Sequence, residues 1–159
     1  MKTIVWMNIG WACFFIPLAV AHGLIASDAM PLISHTRLSP LIIVLVGLGL
    51  IGIIVMFYFD FKVLLNPDKS DLERIRQQKM KREPNMSPGA LESKAKSSYL
   101  YKYFQLECAN AMCPGLFGCI AYVNGAPLII AYAMVSLSYV CALYVLWRLH
   151  TSWKKIYLG

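Results

Sequence analysis

Two stretches of this chain, residues 3–25 and 38–59, contain no Asp, Glu, Lys or Arg. A helix rises about 1.5 Å per residue and the hydrocarbon core of a bilayer is about 30 Å thick, so about 20 consecutive apolar residues can cross it. Both stretches are long enough, and both read as transmembrane helices. Composition agrees. Apolar residues make up 58% of the 159 residues and charged residues 14%, where a soluble domain carries about 25% charged. That balance argues against an ordinary soluble domain and against a disordered chain. Five cysteines are too few for a disulfide scaffold in a chain of this length. The first stretch has a competing reading, because Ala19-Val20-Ala21 resembles a small-residue cleavage site behind a short basic start, as in a secretory leader. The span is the preferred reading.

Residues 60–102 are polar, with ten Lys and Arg and six Asp and Glu. They form an arm that lies in water or on a headgroup surface. Residues 103–149 are again apolar, but too many for one straight span. Near their middle, Asn124-Gly125 is a strong turn signal and Pro127 suits the first turn of a new helix. A tight hairpin is therefore expected, with spans at 104–123 and 127–149 and a tail at 150–159. The third span is diluted by Gln105, Glu107, Asn110 and Pro114.

With four spans, Lys2, the ten basic residues of the arm, Arg148, Lys154 and Lys155 share one side, and only Arg37 lies on the other. This bias puts both termini and the arm in the cytoplasm or its equivalent. A three-span topology would weaken it. The expected fold is an all-α integral membrane protein, with four transmembrane helices as two hairpins joined by a basic cytoplasmic arm. A bacterial inner membrane and an organelle membrane fit equally well.

Within the arm, Ser70-Asp71-Leu72-Glu73 has the spacing of a capping box, so a helix is predicted from Asp71 to about Arg82, ending before Pro84. Ser87-Pro88 opens a second short helix, predicted to run through Lys96. The first has only Leu72, Ile75 and Met80 for an apolar face, so it reads as solvated or interfacial. Tyr99, Tyr101, Tyr103 and Phe104 are expected to form an aromatic interface before the third span, and Trp147, Trp153 and Tyr157 another after the fourth.

Gly47-Leu48-Gly49-Leu50-Ile51-Gly52 formally matches a dinucleotide fingerprint. That fingerprint needs a strand, a turn and a helix N-terminus able to hold pyrophosphate, and here it lies inside an uncharged span. Gly47, Gly49 and Gly52 read instead as a packing face, since small residues let helix backbones approach closely in lipid. Ala111, Gly115 and Cys119, four residues apart, form a similar stripe, as do Ser138 and Ala142.

Glu107 is the only carboxylate inside the predicted spans. An ionisable group there is costly and is a functional candidate by default, as a proton carrier or a cation ligand. The competing reading is structural, with Glu107 near the cytoplasmic edge, facing headgroup water or pairing with Lys102 or Lys62. Asn8 and Asn110 are expected to make interhelical hydrogen bonds. His22 and His35 fall at the outer side and His150 at the inner side, so a haem held by two histidines at matching depth is not expected. Cys108, Cys113 and Cys119 do not share one helix face, and no CxxC is present. Neither metal nor thiol chemistry is expected, and no cofactor.

Arg74, Arg76, Lys79, Lys81 and Arg82 form the densest positive cluster of the arm. It reads as a solvated face, as a surface attracted to anionic lipid headgroups, or as a dock for an acidic partner protein. Nothing in it resembles a nucleic-acid-binding module. No nucleophile with a base, paired carboxylates or metal motif is visible. The expected function is a non-catalytic integral membrane subunit, serving scaffold, assembly or accessory roles in a larger complex such as an energy-transducing or secretion machine. The alternative is a small homo-oligomeric transporter or channel using Glu107 and the Pro114 helix break. A lipid- or quinone-linked membrane enzyme ranks third.

Overall fold

The computed structural model describes residues 2–27, 39–64 and 69–153. Every regular element among them is helical: α1 (Lys2–Ala26), α2 (Pro40–Leu64), α3 (Lys69–Arg82), α4 (Pro88–Val123) and α5 (Leu128–Arg148), which runs on into a π-helical turn over Leu149–Trp153. Four of them, α1, α2, α4 and α5, are long and apolar enough to cross a membrane. Arg37 and His35, together with Lys154, Lys155 and Tyr157, lie outside the described residues.

Local chemistry explains where the helices begin and end. Pro40 opens α2, and the Ser39 hydroxyl accepts the Ile42 N–H at 3.3 Å. Ser87 is extended, accepts the Ala90 N–H at 3.4 Å, and is followed by Pro88 in the first turn of α4, where the missing proline donor costs nothing. The far end of α4 closes with Gly125 at φ 91°. The Gly125 N–H bonds Tyr122 O and the Ala126 N–H bonds Ala121 O, both at 2.9 Å. This is a Schellman turn, which needs a residue without a Cβ penalty in the left-handed region. It turns α5 back along α4.

The arm departs from expectation. Its second helix does not stop at Lys96 but is the outer part of α4, which has 36 residues and is about 54 Å long, well beyond the roughly 30 Å of a hydrocarbon core. The reason lies in its buried side. Leu91, Ala95, Tyr99, Tyr103 and Glu107 recur every four residues and are all buried, so one inward stripe runs unbroken from the polar segment into the apolar one. Helix α3 folds antiparallel onto this outer part. Glu83 pairs with Lys94 at one end, Asp71 pairs with Lys102 at 2.6 Å at the other, and Leu72 and Ile75 pack on the core between them. The arm is therefore a helical pair. Tyr99, Tyr103 and Phe104 are buried in it, with the Tyr99 and Tyr103 rings 4.7 Å apart, so they fill the core and do not form a belt. Helix α3 begins at Lys69, which puts Ser70 inside its first turn.

Helix α4 is the hub. Helices α2 and α5 pack along it, α1 leans on it, and α1 and α2 make little contact with each other. The first two long helices are thus not a packed hairpin, whereas α4 and α5 are. Gly52 lies over Cys113 and Ile42 clusters with Ala121, so α2 runs antiparallel to α4. The Trp11 indole donates to Ala142 O at 3.1 Å and Asn8 meets His150 at 3.2 Å, so α1 runs antiparallel to α5. The start of α1, the end of α2, the arm and the end of α5 consequently gather at one end of the bundle. Met7, Met56, Phe104, Cys108 and Val145 fill the interior there.

Candidate functional site

Three helices bring ionisable groups together at this end. Asp60, in the last turns of α2, is 6% exposed. The Tyr144 hydroxyl donates to its Oδ2 at 2.7 Å, and Arg148 Nε donates to its Oδ1 at 3.3 Å. Tyr144 and Arg148 stand four residues apart, on one face of α5. Glu107 of α4 is fully buried and within electrostatic reach of Asp60 and Arg148 and of Tyr144. Neither of its carboxyl oxygens has a hydrogen-bond partner among the described residues. The set holds two carboxyl groups and one guanidinium, so one proton or one monovalent cation would balance it.

Glu107 does not make the contacts named for its structural reading, since neither oxygen has a hydrogen-bond partner among the described residues. It faces no headgroup water, and Lys102 gives its ammonium to Asp71 instead. Lys102 is five residues before Glu107, about 7.5 Å further along the helix. The partners that sequence reasoning missed are Asp60, which it assigned to the arm, and Tyr144 and Arg148. Helix α2 continues to Leu64, which carries Asp60 inside the bundle. The available signal was depth: counted from the polar arm, Asp60, Glu107 and Arg148 all stand near the same end.

A second polar arrangement lies beside the proline of α4. Pro114 lacks an N–H, so the regular ladder is interrupted there. The Gly115 N–H donates to the Ser138 hydroxyl of α5 at 2.6 Å, and that hydroxyl donates to Met112 O at 3.3 Å. The hydroxyl thus ties α5 to the backbone of α4 on both sides of Pro114. Small residues make the approach possible. A Cβ on Gly115 would lie 2.6 Å from a Leu18 methyl, one on Gly52 2.6 Å from Cys113 Cβ, and one on Gly49 3.0 Å from Pro114 Cα. Gly118 is equally tight, 2.6 Å from Met134 Cβ, and sequence reasoning overlooked it. Ala111 and Ala142 are buried and Cys119 is partly so. Gly47 differs, because nothing lies within 4 Å of where its Cβ would be. The packing role expected of it is not met by these helices.

Asn8 bonds across helices to His150, whereas Asn110 donates to Leu106 O of its own helix at 2.7 Å, so the expected interhelical bond from Asn110 is not made. His22 sits beside Tyr139 and Tyr132. The five cysteines are free thiols, and among the described residues no three His, Cys, Asp or Glu gather as a metal would require. On the arm, Arg74, Arg76, Lys81 and Arg82 are exposed and Lys79 is half-buried. Lys94 hydrogen-bonds the Glu83 carboxyl and holds it below the usual carboxylate range. No protein-family model, curated protein or solved structure matches this chain.

Proposed function

We propose that this chain is a multi-pass membrane protein acting as a non-catalytic subunit of a larger membrane complex, with both termini and the arm in the cytoplasm. One observation carries the reading. Helices α1 and α2 use one face each on the bundle and leave small residues on the other, with open space at Gly10, Gly23 and Gly47. In lipid, helices associate through close packing at small residues, since hydrocarbon supplies no hydrophobic drive between them. Around these glycines stand exposed apolar side chains such as Val20, Ile43 and Ile54, a surface suited to lipid or to further helices. Buried side chains such as Met7, Met56, Phe104 and Cys108 fill the arm end of the interior, and the Asp60, Tyr144 and Arg148 clasp fastens α2 to α5. These features favour a scaffold that receives other helices on its perimeter. Purifying the tagged full chain in mild detergent tests this. Unlike membrane proteins in fixed ratio with it support the subunit; a particle made of this chain alone counts against it.

A second reading rests on Glu107. An unbonded buried carboxyl, two turns from a proline break and beside a second carboxylate, is suited to moving a proton or small cation. Four spans enclose little space, so such a transporter would be a homo-oligomer. Glu107→Gln should then abolish flux in proteoliposomes, and unchanged flux would remove Glu107 from any mechanism.

A further inference from the structure

Glu107 has no exposed surface, and its two carboxyl oxygens lack hydrogen-bond partners among the described residues. We propose that Glu107 is a proton-binding site, occupied by a proton in the arrangement seen here, while its neighbour Asp60 is the ionised carboxylate. The inference rests on the site of the second reading above and names its ligand. It does not need transport, and holds equally for a scaffold.

The fold treats the two carboxyl groups differently. Asp60 receives the Tyr144 hydroxyl on Oδ2 at 2.7 Å and Arg148 Nε on Oδ1 at 3.3 Å, so a negative charge there meets a cation and a hydroxyl donor. Glu107 receives neither. A buried ionised carboxylate without donors is very costly, and the neutral acid in the same place costs far less. Tyr144 has a single hydroxyl proton to give, and Asp60 takes it. Two carboxyl groups in one site tend not to ionise together, and the donors decide which of them keeps the charge. They place it on Asp60 and leave the proton to Glu107.

The surroundings favour a proton over a larger ligand. Asp60 from α2 and Arg148 and Tyr144 from α5 are within electrostatic reach of Glu107, and the Cys108 thiol adjoins it on α4. From α1, Met7 and Phe15 enter the same buried cluster, and neither titrates. On the α3 side, Asp71 is engaged by Lys102 and Tyr103, further out along α4. Hard metal cations gather about six oxygen ligands. Here both Asp60 oxygens already accept hydrogen bonds, and among the described residues no three His, Cys, Asp or Glu gather as a metal would require. A proton needs one oxygen and no cavity.

Infrared spectra of the full chain in detergent at neutral pH test this, because a protonated carboxyl has a C=O stretch distinct from that of a carboxylate. An ordinary carboxyl is ionised there, so such a band reports a buried acid. The chain should show this band, and it should shift when glutamate is supplied with a heavy carbon isotope in its side-chain carboxyl. Glu107→Gln should remove the band. Glu107→Asp keeps the acid and should make the band indifferent to the glutamate label, which assigns the residue even where Glu107→Gln does not fold. No band in the folded, unsubstituted chain would overturn the proposal. A band indifferent to the label in that chain would put the proton on an aspartate and overturn it too. So would a labelled band that survives in either variant. Sodium chloride abolishing the band at fixed pH would assign the site to a metal cation in place of the proton. The flux assay above separates the two levels of failure. A labelled band without flux removes the transporter and leaves the proton site, whereas flux without the band removes the proton site and leaves the transporter.

Discussion

Gly47→Ala and Gly52→Ala make one chemical change at two positions of one helix, five residues apart, and the structure assigns them opposite signs. Replacing a helical glycine by alanine gains about 0.5–1 kcal/mol by restricting the unfolded backbone. At position 47 nothing within 4 Å opposes the new methyl, so Gly47→Ala should stabilise by about that amount. At position 52 the methyl would stand 2.6 Å from Cys113 Cβ and 3.1 Å from Asn110 O. Neither atom is the free end of a flexible side chain, so α2 must move off α4. Overpacking of this kind costs about 1–3 kcal/mol, which outweighs the backbone gain. Gly52→Ala should therefore destabilise by about 1–2 kcal/mol, leaving the two variants about 2 kcal/mol apart. Equilibrium unfolding of the purified chain in mixed micelles of rising dodecyl sulfate fraction, followed by helical circular dichroism, reads that gap. Equal shifts in the same direction would refute the α2–α4 packing. Gly49→Ala should fall between, since the Met134 methyl 2.5 Å away can swing aside while Pro114 Cα at 3.0 Å cannot.

Other expectations follow from the polar contacts. Asp60→Asn leaves Arg148 facing a neutral partner in a mostly buried setting and should cost about 3 kcal/mol, with the Arg148→Gln double variant losing less than the sum of the singles; additive losses in the same unfolding assay would count against the ion pair. Ser138→Ala strips the bridge from Gly115 N–H and Met112 O and should cost about 1–2 kcal/mol, whereas an unchanged midpoint would refute the buried bridge between α4 and α5. Glu83 should titrate below the ordinary 4.5, and Lys94→Gln should return it there by carboxyl NMR. Because its folded-state value is depressed, its contribution is present above the unfolded value and is lost as pH falls through the folded one; a Glu83 midpoint unaffected by Lys94→Gln would refute the pairing.

The parts of this fold that were legible in the sequence are those written in local chemistry. Uncharged runs near 20 residues long mark α1 and α2 because length and composition alone decide them. Asn124-Gly125 marks the α4–α5 turn because only a residue tolerant of positive φ closes it. Ser87-Pro88 marks the start of α4 for similar reasons. What was not legible depends on which helix lies beside which. The outer part of α4 looked like a separate short helix because its polar side dominates the composition, while its buried residues recur quietly every four positions. Asp60 looked like the first residue of the arm because it follows an apolar run, yet its partners Tyr144 and Arg148 come more than eighty residues later. Glycine spacing singled out Gly47 with Gly49 and Gly52, but spacing cannot say which glycine faces α4 and which faces outward. Glu107 stood out by its rarity, and its lack of a bonded partner became visible only once three helices were assembled around it.

The central claim is that four helices cross a membrane with both termini and the arm on one side. Impermeant maleimide labelling tests it most directly, using a chain without its five native cysteines and single probes at Gln78→Cys on α3, Thr151→Cys after α5 and Asn124→Cys in the α4–α5 turn. In sealed, oriented membranes the first two should label from the cytoplasmic side only and Asn124→Cys from the opposite side only. Labelling of Asn124→Cys and Gln78→Cys from the same side would contradict the topology and everything proposed from it.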